Sequence, residues 1–220
     1  MARRIYIVED HPVMREGYVS IIKGESDLEV CGEAAMAEEA FASIPDLSPD
    51  LVLLDLSLPG INGIELLKRL RSVDFEGYVL VVSAHDDVLY AERAFSAGAN
   101  GYLMKQEAPR AIIEAIRHVL GGRVFVTESF RDVLMTRLMG RPGGLGDTGG
   151  IPGVEQLTDR ELETFEHVGG GLTSKETAER MQISVKTVDS YKQNIKRKLG
   201  LSSATELLQQ AVLWRESSLR

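Results

Sequence analysis

Apolar residues follow one pattern through roughly the first 120 positions of the chain. Short runs in which most residues are apolar alternate with longer stretches whose apolar residues recur every three or four positions. The runs predict buried strands, and the longer stretches predict amphipathic helices. The predicted strands are Ile5–Val8, Leu28–Cys31, Leu51–Leu54, Tyr78–Val82 and Gly101–Met104. The predicted helices are Val13–Lys23, Ala37–Ile44, Gly63–Arg71, Val88–Ala97 and Pro109–Leu120.

This alternation predicts an α/β domain over residues 1–122. Its five strands would form a doubly wound parallel sheet with helices on both faces. We expect the flavodoxin-like strand order 2-1-3-4-5, which brings the carboxyl ends of the strands to one edge of the sheet.

A glycine-rich segment follows a further amphipathic helix at about Thr127–Met139. Half of the residues in Gly140–Gly153 are glycine, and two are proline. Ordering glycine is costly in conformational entropy, so this segment predicts a flexible linker, which we place with the preceding helix at residues 123–153. A long surface loop within one domain is the alternative.

Residues 154–216 predict a small all-α domain of four helices. Polar residues suited to capping helix N-termini stand at Thr158, at Thr173 or Ser174, at Ser184, and at Ser202 or Ser203. Glu161 follows Thr158 by three positions, which is the spacing of a capping box. The second and third helices, ending at Met181 and Leu199, are separated by a short turn and predict a helix-turn-helix. An ordinary helical hairpin fits that local pattern equally well.

Composition narrows the class of protein. Apolar residues make up 44% of the chain, enough for hydrophobic cores. The single cysteine, Cys31, has no partner for an internal disulfide and fits a buried, inert thiol. No apolar run approaches the roughly 20 residues of a membrane helix, and the N-terminus does not resemble a signal peptide. We therefore expect a cytoplasmic protein without a membrane partner.

Charge is distributed unevenly along the chain. From Val154 to Arg220 ten Lys and Arg residues balance ten Asp and Glu residues, so the net charge of -8 lies entirely in the preceding part. Within the neutral part, Ser184–Gly200 carries five basic residues and one acid, Asp189. A local basic stripe is sufficient for nucleic-acid binding, because counterion release depends on the contacting face.

Acidic and polar residues follow the predicted strands. Glu9 and Asp10 come after the first strand, Asp55 after the third, and Lys105 after the fifth. In the expected strand order these ends converge, together with Ser83 after the fourth strand. Close carboxylates repel one another, and a hard divalent cation such as Mg²⁺ relieves that repulsion.

Four stretches carry a resemblance to a known family. They read Ile-Val-Glu-Asp-His-Pro (7–12), Leu-Leu-Asp-Leu-Ser-Leu-Pro-Gly-Ile-Asn-Gly (53–63), Val-Val-Ser-Ala (81–84) and Ala-Gly-Ala-Asn-Gly-Tyr-Leu-Met-Lys (97–105). Residues 1 to about 122 thereby resemble a CheY-like receiver domain. The sequence departs from many receivers in having Gln106, and not proline, after Lys105.

The resemblance implies a phosphoryl-acceptor site. Asp55 would accept a phosphoryl group from a sensor histidine kinase and become an acyl phosphate. Asp10, Asp55 and the backbone carbonyl of Ser57 would bind Mg²⁺, with Glu9 assisting through water. The metal and Lys105 would neutralise the transferring oxygens.

The same resemblance implies a conformational switch. Ser83 would hydrogen-bond the new phosphoryl group, and the small Ala84 would leave access to it. Tyr102 would then move inward as Ser83 shifts. The alternative for Tyr102 is an ordinary tyrosine at the end of an amphipathic strand.

Three later stretches resemble the four-helix LuxR-type DNA-binding domain. They cover Leu157–Glu163, Gly171–Ala178 and Ile183–Gly200, within an overall match from about Val154 to Leu213. A receiver followed by this domain is the arrangement of the NarL/FixJ family. This family often has His where Tyr191 stands and Glu near Asp189, and those departures bear on base preference.

The third helix of this domain contains the candidate DNA contacts. We expect base reading at Asp189, Ser190 and Gln193, where Gln suits adenine and Asp can accept a hydrogen bond from cytosine. Phosphate contacts are expected from Lys186, Lys192, Lys196, Arg197 and Lys198, helped by Ser174, Lys175 and Thr187. Any one of these lysines could instead be a solvated surface residue. In the family the last helix forms the dimer contact on double-stranded DNA, and we expect a homodimer on phosphorylation or DNA binding.

The sequence therefore indicates a two-component response regulator, a DNA-binding transcription regulator switched by phosphorylation of Asp55. The alternative is a signalling relay whose helical domain binds protein and not DNA. An enzyme is disfavoured, because His167 stands alone after the linker, without a nucleophile or a metal cluster.

Overall fold

The computed structural model describes residues 2–84, 88–127, 131 and 151–218. The chain divides into two compact units, residues 1–134 and 135–220. Most of the predicted helix Thr127–Met139 and of the glycine-rich segment Gly140–Gly153 lies outside the described residues. The domain boundaries 1–122, 123–153 and 154–216 accordingly remain predictions.

The first unit contains a parallel six-stranded sheet of order β2-β1-β3-β4-β5-β6. Its strands are β1 Arg3–Val8, β2 Leu28–Ala34, β3 Leu51–Leu54, β4 Tyr78–Ser83, β5 Gly101–Met104 and β6 Phe125–Val126. Its helices are α1 Pro12–Lys23, α2 Ala37–Leu47, α3 Gly63–Ser72, α4 Val88–Ser96 and α5 Ala108–Leu120. The predicted fold class and strand order are confirmed, with one additional strand.

The sixth strand has two residues and pairs only with β5. A strand of that length is too short to show a periodic apolar pattern, which explains why the sequence did not predict it. Strand β2 extends beyond its predicted end at Cys31 to Ala34. It pairs only with β1 and is half-exposed, so its sequence need not be continuously apolar. Gly32 and Glu33 interrupt its apolar run without ending the strand.

The sheet is packed by helix faces that the apolar spacing had predicted. Every residue of β3 is buried, and Ile112, Ile116 and Val119 of α5 are buried in one core cluster with residues of β1, β3, β4 and β5. Each such side chain contributes about 1.5–3 kcal/mol on burial. This packing fixes where the strands end: Asp55 N donates to Val8 O at 2.9 Å, and Lys105 N donates to Ser83 O at 2.8 Å.

The second unit is helical. After a 3₁₀ turn at Val154–Gln156 come α6 Asp159–Gly169, α7 Ser174–Met181, α8 Val185–Leu199 and α9 Ala204–Ser218. None of the helices in the described part of the chain combines the length and apolarity needed to cross a bilayer.

The helix ends of this unit follow the predicted capping residues. Thr158 and Thr173 each form a capping box with the Glu three positions later, and the Ser184 side chain accepts from Thr187 N. Gly200 ends α8 in the left-handed region at φ 67°. Of the two predicted candidates for α7, Thr173 is the N-cap, so the Ser174 hydroxyl does not cap the helix.

The core of the second unit forms where α6, α8 and α9 meet. Phe165 is fully buried, and its ring centroid lies 5.8 Å from that of Trp214. Helix α9 lies so close to α6 that a Cβ added to Gly169 would lie 2.4 Å from Ala211 O. Val188 and Ile195 are the buried residues of α8, and their seven-residue spacing puts them on one face.

Candidate functional site

Four side chains meet at the carboxyl edge of the sheet. One ligand atom from each of Glu9, Asp10, His11 and Asp55 lies within 4.8 Å of the others. Glu9 and Asp55 are only 1% and 2% exposed, whereas Asp10 is partly exposed. The strand ends thus bring together the three carboxylates that the sequence places there. The backbone also crowds Asp55, because a Cβ at Gly63 would lie 2.2 Å from Asp55 O.

Lys105 joins two of these carboxylates. Its Nζ donates to Asp55 Oδ2 at 2.9 Å and to Glu9 Oε1 at 2.9 Å, and Glu9 Oε2 lies 2.8 Å away. Burial opposes the charge on this ammonium, but the nearby Asp55 and Glu9 carboxylates outweigh burial and raise the pKa of Lys105. Lys105 is therefore a cation at neutral pH, fixed between the two most buried acids of the site.

The pocket remains short of positive charge. Burial, followed by the charge of Asp55, raises the pKa of Glu9 despite its contacts with Lys105. Burial, followed by the charges of Glu9 and Asp55, also raises the pKa of Tyr18 on α1. The Tyr18 hydroxyl is buried and lacks a hydrogen-bond partner among the described residues, and the only cation that the described residues place against Glu9 Oε2 is Lys105 Nζ, 2.8 Å away. A buried hydroxyl without a partner, that of Tyr18, thus lies near the negatively charged Glu9 and Asp55.

Helix α8 presents one exposed face. Lys186, Asp189, Ser190, Gln193 and Arg197 are exposed on the side of the helix opposite the buried Val188 and Ile195. All three predicted base-reading residues therefore lie on this face, together with two of the predicted phosphate contacts. Lys192, Lys196 and Lys198 are only partly exposed and lie to the side of it.

Comparisons with known proteins match both units. Residues 5–117 match the family model of the response regulator receiver domain, and residues 155–211 match that of bacterial regulatory proteins, luxR family. The transcriptional activator protein ExaE of Pseudomonas putida is 36% identical over 209 residues, 94% of this chain and 95% of ExaE. The nitrate/nitrite response regulator protein NarL of Escherichia coli K12 is 31% identical over 210 residues, 96% of this chain and 93% of NarL.

The chain belongs to the NarL/FixJ family of two-component response regulators. A LuxR-family response regulator from Aurantimonas sp. SI85-9A1 has a similar structure. It is 34% identical with a TM-score of 0.60, covering 63% of this chain and 99% of that one. The family consists of DNA-binding regulators and not of enzymes, and its receivers interact with histidine kinases.

In this response regulator the predicted switch residues lie at the end of β4, directly after β4 and on β5. Ser83 is fully buried at the end of β4, and Ala84 after it is exposed. Tyr102 on β5 is fully buried, so the described conformation already has this side chain inward. Ser57 N donates to Asp55 Oδ1 at 3.1 Å, which fixes the start of the loop after Asp55. The functional roles of these residues remain predictions.

The sequence did not predict two further contacts in the acidic pocket. His11 Nδ1 lies 2.8 Å from Asp10 Oδ1 and 3.3 Å from Glu9 Oε1. Arg15 on α1 donates to the backbone oxygen of Glu9 at 2.7 Å and to Glu33 Oε2 at 3.2 Å. His11 directly follows Glu9 and Asp10 in the sequence, and this adjacency could have predicted its contacts with them. The Arg15 contact depends on the packing of α1 and had no local signal.

Several predicted DNA contacts already have protein partners. Lys198 Nζ donates to Glu161 Oε2 at 2.6 Å and to Gln156 O at 3.1 Å, on the α6 side of the domain. Lys175 lies 3.9 Å from Glu179 and is well exposed. The Thr187 hydroxyl pairs with Ser184 at 2.8 Å. Contacts of these residues with DNA remain predictions, and Lys198 has the least freedom to make one.

Proposed function

We propose that this response regulator accepts a phosphoryl group on Asp55 and that phosphorylation controls the binding of α8 to double-stranded DNA. The observation that supports the proposal best is the placement of Lys105, which contacts Asp55 Oδ2 inside a cluster of carboxylates. An isolated structural aspartate at a strand end does not need a buried ammonium and two further acids around it. The same arrangement suits a carboxylate whose charge increases during function.

Phosphoryl transfer from a phosphohistidine of a sensor kinase would form a bond between an Asp55 oxygen and phosphorus. The bond between phosphorus and the kinase imidazole nitrogen would break, and the imidazole would keep that electron pair. Lys105 lies within reach of the new phosphoryl oxygens and would stabilise their charge. On the β4 side, Ser83 would hydrogen-bond the new phosphoryl group, and the small, exposed Ala84 would leave access to it.

The donor set of the pocket fits a magnesium ion. Carboxylate oxygens are the ligands that this hard cation prefers, and one oxygen from each of Glu9, Asp10 and Asp55 lies in this cluster. We propose that Asp10, Asp55 and the Ser57 carbonyl hold the ion, with Glu9 contacting it through water. When bound, Mg²⁺ supplies positive charge that neutralises the transferring phosphoryl oxygens.

The exposed face of α8 fits the DNA-binding role. Lys186 and Arg197, at opposite ends of the face, are suited to phosphates, and Asp189, Ser190 and Gln193 lie between them. A homodimer would place two such helices on adjacent half-sites and raise avidity. Leu208 and Leu213 of α9 are 44% and 54% exposed and are available for that contact. Trp214 is buried inside the domain and is not.

Two measurements with the full chain test this coupling. Fluorescence anisotropy with a duplex selected from a random library gives DNA affinity, and sedimentation gives mass, each with and without acetyl phosphate and Mg²⁺. We expect acetyl phosphate with Mg²⁺ to change both the DNA affinity and the mass of the wild type. The same changes are expected in Asp46→Asn, a control at an exposed position. Neither quantity should change in Asp55→Asn. Equal responses of wild type and Asp55→Asn would contradict the proposal. A chain that binds no duplex would instead act through protein contacts.

A further inference from the structure

Three side chains form a continuous hydrogen-bonded chain where α7 and α8 cross. Lys192 Nζ donates to Ser174 Oγ at 2.9 Å, and Ser174 Oγ donates to Asp189 Oδ1 at 2.9 Å. The serine hydroxyl has a single proton, so the direction is determined: an ammonium can only donate, and the carboxylate accepts. Ser174 can make both bonds because Thr173 caps α7 in its place.

The position of Lys192 is unusual for a residue that contacts phosphate. Its side chain is partly buried, and burial, only partly offset by Asp189, lowers its pKa. The exposed face of α8 lacks Lys192 but includes Asp189. The ammonium is thus directed toward the helix crossing and away from the face that presents Lys186 and Arg197.

The position of Asp189 is unusual for a surface residue of a DNA-binding helix. A carboxylate in the middle of that face repels the phosphates and lowers affinity for every duplex. The repulsion is useful only if the carboxylate makes a contact that a phosphate-binding residue cannot make. The bond from Ser174 uses Oδ1, and Oδ2 has no donor among the described residues.

We infer that Ser174 and Lys192 are positioning residues that orient Asp189 to read one base pair, an inference that rests on the proposed binding of α8 to DNA. The free Oδ2 would accept a hydrogen bond from the exocyclic amine of cytosine in the major groove. Thymine and guanine present acceptor oxygens in the corresponding places, which a carboxylate repels. A well-placed contact of this kind discriminates by about 5- to 150-fold between bases.

This inference differs from the sequence-based prediction of a phosphate contact for Lys192, and salt dependence separates the two. A phosphate contact adds about 0.9 to the slope of log affinity against log salt concentration. A lysine that acts through Ser174 leaves the slope almost unchanged and changes base preference. Lys186, which is exposed at the start of α8, is the matched control for a phosphate contact.

The experiment begins by selecting a site from a random duplex library with the full-length wild type. Affinities for that site and for all its single base-pair variants are then measured for the wild type and for Asp189→Ala, Ser174→Ala, Lys192→Met and Lys186→Ala. The position at which Asp189→Ala loses discrimination identifies the base pair in question. At that same position, we expect Ser174→Ala and Lys192→Met to reduce the ratio of affinities between the selected base pair and its variants by at least threefold.

Two further variants distinguish positioning from a general structural effect. Adding Ser174→Ala to Asp189→Ala should cause no further loss at that position, because Ser174 acts only through Asp189. Ser174→Thr keeps the hydroxyl and should restore the wild-type preference. Trp214 fluorescence confirms that each variant is folded, and Lys192→Met serves if Ser174→Ala does not fold.

The inference is overturned if Ser174→Ala and Lys192→Met keep the wild-type base preference. It is also overturned if Lys192→Met weakens binding to all duplexes equally and lowers the salt slope as much as Lys186→Ala does. A wild type that selects no site overturns the proposed DNA binding itself, which is a distinguishable result.

Discussion

Among the described residues, Lys105 is the only cation that contacts both Glu9 and Asp55. Replacing it with methionine removes this positive charge from the pocket. Methionine keeps much of the buried side-chain length, so the change is mainly electrostatic. The Lys105 side chain is 11% exposed, and those of Glu9 and Asp55 are 1% and 0% exposed. Solvent can therefore compensate little for the lost ammonium.

The expected loss of stability follows from these distances. At 2.9 Å, each contact is worth about 6 kcal/mol of gross Coulomb energy at an effective dielectric constant near 20. The cost of desolvating the ammonium offsets much of this. Breaking a buried ion pair by removing one partner costs about 3–5 kcal/mol. For a domain of this size that corresponds to a decrease in Tm of roughly 10–20 °C.

The loss should depend on pH in a known direction. Burial and Asp55 raise the pKa of Glu9, and Lys105 is the contact that lowers it. Without Lys105 the pKa of Glu9 rises further, and a raised folded-state pKa means that stability falls as pH rises through it. The raised pKa of Lys105 keeps its ammonium charged between pH 5.5 and 8. The variant should therefore lose more stability at pH 8 than at pH 5.5.

Thermal unfolding followed by two signals measures this loss. The single tryptophan, Trp214, reports the helical unit, and far-UV circular dichroism reports both units. We expect the Lys105→Met transition to move in circular dichroism and not in fluorescence, and Mg²⁺ to restore part of the loss. Lys23→Met, at an exposed position, is the control. Equal shifts for Lys105→Met and Lys23→Met at pH 8 without Mg²⁺ would refute this electrostatic account of the pocket.

Three other variants have defined expectations. Tyr18→Phe removes a buried hydroxyl without a partner in the described structure; denaturant titration should show stability increased by about 1 kcal/mol, and a clear decrease would show that the hydroxyl is bonded. Burial opposes the charge of Glu161, but its contacts with Lys198 and Thr158 outweigh burial and lower the pKa of Glu161. The stability of the wild type should therefore fall as pH drops below about 4.5. The stability of Glu161→Gln, measured by unfolding followed with Trp214 fluorescence, should depend less on pH. Lys196→Ala should weaken binding to specific and random duplexes alike and lower the salt slope by about one unit, whereas a loss confined to one site would indicate a base contact.

The sequence predicted those parts of the fold that depend on local signals. The buried strand Leu51–Leu54 and the capping residues Thr158 and Ser184 produce such signals, and the structure confirms each of them. The convergence of Glu9 and Asp55 was also predictable, because parallel strands bring their carboxyl ends to one edge.

Features that depend on the angle between packed elements were not predictable. Tyr18 lies near Glu9 and Asp55 because of how α1 packs on the sheet, and the sequence predicted only the helix Val13–Lys23 that contains this residue. The contact from Ser174 to Asp189 likewise depends on how closely α7 and α8 cross. Strand β6 lacked a signal because two residues show no period.

The most direct test of the central claim is to locate the phosphoryl group. Full-length protein is incubated with acetyl phosphate and Mg²⁺, trapped by borohydride reduction of the acyl phosphate, and the modified residue is identified by peptide mass spectrometry. We predict modification of Asp55 alone, dependent on Mg²⁺ and abolished in Asp55→Asn. Undiminished modification of Asp55→Asn, or modification of the wild type at another carboxylate, would contradict the account.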